Sequence, residues 1–94
     1  MRGTGEEVRV LMALGSATGF TINAHVPKNA VSSRLRRDER GNVGKCLKIL
    51  ARKGLATKHP TGRQMTWNLS RDGLIICECL SKTDHPNACA RPLA

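Results

Sequence analysis

The sequence predicts an α+β domain, mainly α: a three-helix core with a short strand, then a β-hairpin and a C-terminal helix. Three observations predict it. Apolar residues recur at helical spacing in several windows, they alternate with period two in others, and the turn cluster Pro60-Thr61-Gly62-Arg63-Gln64 separates two short alternating runs. A chain of 94 residues, 39% hydrophobic, holds one domain. We place it over 1–80, with a loose tail over 81–94 that contains Pro86 and Pro92 and shows no periodicity.

The first helix is expected from about Gly5 to Gly15, with Thr4 as cap and Glu6 and Glu7 at the positive end of the helix dipole. Val8, Leu11, Met12 and Gly15 form one apolar stripe, and Val10 and Leu14 a second. Phe20, Ile22, Ala24 and Val26 alternate with polar residues, which predicts a strand over 20–26. Pro27 suits the first position of a second helix running to about Arg37, with Ala30, Val31 and Leu35 inward. Asp38-Glu39-Arg40-Gly41 reads as a turn. Asn42 can cap a third helix reaching about Lys53.

On that third helix Val43, Cys46, Leu47, Leu50 and Ala51 share one arc. Gly44, Lys45, Lys48 and Arg52 share the opposite arc, with Ile49 at its edge. Gly54 is the left-handed C-terminal cap. Strands follow over Leu55 to His59 and Met65 to Leu69. Ser70 then caps a last helix to about Leu80, apolar on several sides. The first and last helices thus each need two neighbours, found in one another or in a second copy of the chain. A homodimer follows as one expectation.

Charge narrows the function. The chain carries +9, and residues 28–63 hold eleven basic side chains against two acids, so that segment accounts for the whole excess. A solubilising surface would spread it. A polyanionic partner for the middle third is the direct inference. With one Phe, one Trp and no Tyr, stacking platforms for single-stranded nucleic acid are nearly absent.

The stretch from Asn42 to Gly73, NVGKCLKILARKGLATKHPTGRQMTWNLSRDG, resembles the recognition helix, wing and following helix start of MarR- and ArsR-like winged helix regulators. The resemblance rests on Val43, Leu47 and Leu50 leading into Gly54-Leu55, a Gly-Arg hairpin tip, and Leu69-Ser70-Arg71-Asp72-Gly73; the residues before it agree in element order. It implies a DNA-binding domain acting in transcription regulation. A helix fits the major groove, where side chains read base edges. Asn42 and Lys45 are placed for bases, Gly44 lets the backbone approach closely, and Lys48, Arg52 and Lys53 are placed for phosphates. By the resemblance, Lys58, His59, Arg63 and Gln64 belong to the wing. Lys28, Asn29, Ser32, Ser33 and Arg34 reach the flanking backbone, with Arg36, Arg37 and Arg40 adding to the same basic surface. Double-stranded DNA is the expected partner.

Two other readings stay open: an RNA partner, and a protein-interaction module whose charge meets an acidic partner. A deep, narrow RNA groove does not admit a helix, which favours DNA. No Ser/His/Asp set, phosphate loop or carboxylate pair is recognisable, so no enzyme and no cofactor is expected. Cys77, Cys79, His85 and Cys89 are close in sequence, but zinc favours a two- to four-residue spacing, and a Cys-x-Cys pair on a helix splays its thiols. Thiols packed as small hydrophobes are the reading taken, and no metal is assigned. Without an apolar run of bilayer length or a leader-like stretch, no membrane is expected and a cytoplasmic location is the default.

Overall fold

A computed structural model describes residues 4–82. Helix α1 spans Thr4–Thr18, three residues beyond the expected end, with Thr4 its first residue. Gly15 does not stop it. The chain leaves α1 at Gly19 (φ 71°), where Phe20 N–H reaches the Gly15 carbonyl at 2.7 Å and Gly19 N–H the Ser16 carbonyl at 3.2 Å. This is a Schellman ending, whose apolar contact is the Phe20 ring lying on Gly15.

The expected strand over 20–26 is therefore a correction. Only Val26–Pro27 pairs, as β1. Phe20, with φ 56°, belongs to the helix ending, and the alternation after it runs through irregular chain. The second helix is also shorter than expected: α2 covers Lys28–Ser32, with Pro27 just outside it. Arg36 turns extended, its N–H held at 3.1 Å by Glu39 Oε1, and a 3₁₀ turn over Arg37–Glu39 follows. That local bond, with the Glu39–Arg9 ion pair at 3.2 Å, stops α2 from running to Arg37.

Helix α3 covers Val43–Arg52 and buries Val43, Cys46, Leu47 and Leu50, the expected arc, with Ala51 half-buried. Each leucine so enclosed contributes about 1.5–3 kcal/mol. Gly54 takes φ 80°, and Leu55 N–H closes on the Leu50 carbonyl at 2.9 Å, as a left-handed cap requires. Strands β2, Ala56–Pro60, and β3, Met65–Leu69, pair antiparallel, and β1 joins the other edge of β3, giving the order β1-β3-β2. Trp67, Leu69 and Ala56 face the core.

Helix α4 spans Arg71–Lys82, so Ser81 and Lys82 are helical and not tail; the rest of the expected tail lies outside the described residues. Ser70 caps it as expected: its Oγ accepts the Gly73 N–H at 3.0 Å and donates to the Gly54 carbonyl at 2.6 Å. A β-carbon on Gly73 would stand 1.9 Å from the Leu55 carbonyl oxygen, so the first turn of α4 seats directly on the α3–β2 link. Helices α1 and α4 pack on each other, with the Cys77 thiol donating to the Leu11 carbonyl at 3.7 Å. Ile75 is the large apolar side chain that α4 leaves exposed, at 55%. The described residues thus form a small α+β unit of four α-helices and one three-stranded antiparallel sheet. No helix among them is long and apolar enough to cross a membrane.

Candidate nucleic-acid interface

The amphipathic pattern of α3 decides what it presents. With its apolar arc against α1, the opposite side carries Lys45, Lys48 and Arg52, all exposed. No ion pair engages these three among the described residues. Ile49 is half-buried at the edge of this side. Gly44 is half-buried too, because Lys28 leans across it from the start of α2; a β-carbon there would meet Lys28 Cδ at 3.4 Å.

The basic surface continues onto the sheet. Lys58 is in register with Trp67, so it shares the α3 side of β2, whereas His59, in register with Thr66, points to the other side. Between α3 and β2 runs a groove of about 640 Å³, with Lys48 and Arg52 on one wall and Lys58 on the other. Ala51, Gly54, Ala56 and Thr57 complete its lining, residues too small to block a chain lying along it, and no acid among the described residues lines it. Arg63 and Gln64 stand exposed at the hairpin tip. Thr61 builds that tip: its Oγ1 accepts the N–H groups of Arg63 (3.3 Å) and Gln64 (3.1 Å) and donates to the Gln64 carbonyl (2.8 Å).

Other predicted residues are committed elsewhere. Asn42 does not cap α3 with its side chain; its amide donates to Glu6 Oε2 at 3.0 Å. Lys53 Nζ binds Glu7 Oε1 at 2.8 Å, and Glu7 is only 6% exposed, so Lys53 answers a buried carboxylate. Arg34 reaches Ser16 Oγ at 3.4 Å, Arg36 pairs with Asp38 at 3.6 Å, and Arg40 donates to the Leu35 carbonyl at 3.1 Å. Arg37 and Asn29 are exposed, Ser32 is half-buried, and the Ser33 hydroxyl donates to the Ala30 carbonyl at 2.8 Å. The structure therefore gathers Lys48, Arg52 and Lys58 around one groove, with Lys45 on the same side of α3 and Lys28 against Gly44, whereas Arg34, Arg36 and Arg40 are each engaged by other groups.

Glu6 and Glu7 are the residues that sequence reasoning missed. They were legible only as acids in a first helical turn, yet they hold the two ends of α3 from behind. The Cys46 thiol registers them: burial pushes its pKa up first, and Glu6 and Glu7 push it further. Cys46 and Cys77 are buried free thiols, as expected of small hydrophobes. Cys79 departs from that reading, being exposed and disulfide-bonded. His85 and Cys89 lie outside the described residues, and no group of three or more His, Cys, Asp and Glu that could hold a metal occurs among the described ones.

Compared with protein families, curated proteins and solved structures, the chain matches none.

Proposed function

We propose that the chain is a winged helix protein that binds double-stranded DNA, with α3 in the major groove and the β2–β3 hairpin as the wing. The observation that carries this is the basic surface running from Lys45, Lys48 and Arg52 across the groove to Lys58, with no acid among the described residues paired to it or lining the groove. A helix of ten residues is about 15 Å long and, with side chains, about 10–12 Å wide, which matches a major groove about 12 Å across. Lys45, near the helix start, reads bases. Lys48, Arg52 and Lys58 hold one phosphate backbone in the groove, and Arg63 at the tip holds its neighbour. Transcription regulation is the role the resemblance suggests.

Competitive binding of duplex DNA and structured RNA, from about 50 to 300 mM salt, tests the reading. Duplex preference with a steep salt dependence is expected. RNA preference, or affinity indifferent to salt, would overturn it and point to an RNA or protein partner.

A further inference from the structure

On the face of the sheet away from α3, two histidines from opposite edges meet. His25 directly precedes β1 and His59 lies in β2, yet their ring centroids are 4.1 Å apart with the planes tilted by 32°. Both side chains are exposed. They close over the central strand: Thr66, in register with His59 and Pro27, is only 4% exposed, and its hydroxyl donates to the His59 carbonyl.

We propose that His25 and His59 are a binding site for one divalent transition-metal ion of the imidazole-preferring class, Zn²⁺, Ni²⁺ or Cu²⁺. A zinc–imidazole bond is about 2.0–2.1 Å, so one ion bridges two nitrogens up to about 4 Å apart, and rings whose centroids lie 4.1 Å apart can each turn a nitrogen within that reach. A second observation lies on the same face. Asn68, two positions along β3 from Thr66, directs its amide nitrogen to the carbonyls of Ile22 (3.1 Å) and Leu69 (3.3 Å). Its Oδ1 is enclosed and has no hydrogen-bond partner. An enclosed acceptor without a donor is rare and costly. Asn68 is two positions from Thr66 and so on the same face of β3, which makes this oxygen the third donor of the proposed site, with water completing the coordination. The ion ties the two edge strands together across β3 and so stiffens the root of the hairpin. The site is independent of the proposed DNA surface, which occupies the opposite face.

The test is titration of the purified chain with ZnCl₂ alone, followed by the imidazole ¹⁵N resonances of all three histidines. Equal molar uptake with His25 and His59 shifting at one common midpoint is the expected result. His25→Gln and His59→Gln should each weaken that binding by more than about tenfold. Urea midpoints in metal-free buffer check that both variants are folded. Resonances of His25 and His59 that stay still while His85 shifts would overturn the site, as would variants that bind as tightly as the parent. Rings that ignore zinc altogether would overturn it too, leaving the pair as packing over Thr66.

Discussion

Removing the groove cations together, as Lys48→Ala, Arg52→Ala and Lys58→Ala, gives the most direct prediction. All three side chains are exposed and have no ion-pair partner among the described residues, so folding should change little. Each neutralised phosphate adds about 0.9 to the steepness of log affinity against log salt. Taking three cations off the phosphates therefore lowers the slope by about 2.7. Between about 50 and 200 mM salt, a change of about 0.6 in log concentration, the parent should lose about 40-fold more affinity than the variant. Fluorescence anisotropy on one labelled duplex at several salt concentrations measures both slopes. Substituting Arg71 and Lys82, which sit on α4 outside the groove, should leave the slope unchanged. A triple variant whose slope stays within about half a unit of the parent's would refute the assignment of the backbone to this groove.

Further outcomes follow from the same geometry. Arg63→Ala should weaken binding to all duplexes alike and lower the slope by about one unit, while Lys45→Ala should change the ranking among sequences; a competition panel separates the two. Gly73→Ala drives a methyl against the Leu55 carbonyl, so strain of about 1–3 kcal/mol or more exceeds the roughly 1 kcal/mol gained in helix propensity. Its melting temperature should fall by several degrees, and a rise would mean that α4 seats elsewhere. Burial, with Glu78 adding to it, raises the Cys77 thiol from 9.0 to about 11, so between those values the folded state holds a proton that the unfolded state has lost. Stability should be full below pH 9 and decline toward pH 11 by about 2–3 kcal/mol. Urea midpoints at about pH 8 and pH 10.5 should drop further for the parent than for Cys77→Ala, and equal drops would count against the effect.

Much of the arrangement was legible where a local rule sufficed. The apolar arc of α3, the left-handed turn at Gly54, the run of β3 over Met65–Leu69 and the Ser70 cap each depend on residues within one or two turns of one another. The errors arose where a distant partner decides. Alternation from Phe20 to Val26 satisfies a period of two, but β1 can be only as long as its pairing with Trp67 and Thr66 allows. The second helix kept its apolar spacing past Ser32, and only Glu39, steadied by Arg9 from 30 positions away, shows why it breaks. The interface followed the same division. Lys45, Lys48 and Arg52 fall on one face by periodicity alone. That Asn42 and Lys53 are engaged by Glu6 and Glu7, 36 and 46 residues away, is a property of the packed molecule. So is the meeting of His25 with His59.

The placement of Glu6 and Glu7 behind α3 has an electrical consequence. Two carboxylates occupy the α1 side, one bound to each end of the helix, while its ammonium and guanidinium groups look outward, so charge is sorted across the thickness of the domain. The net charge of +9 attracts any polyanion from every direction, but this sorting adds a dipole, and a dipole in the field of a charged rod feels a torque. The molecule would turn its α3 side forward before any atom touches. Reversing the charge of Glu6 or Glu7 raises the total charge, which by itself speeds encounter with a polyanion, so a slower encounter at low salt would report the lost sense of direction.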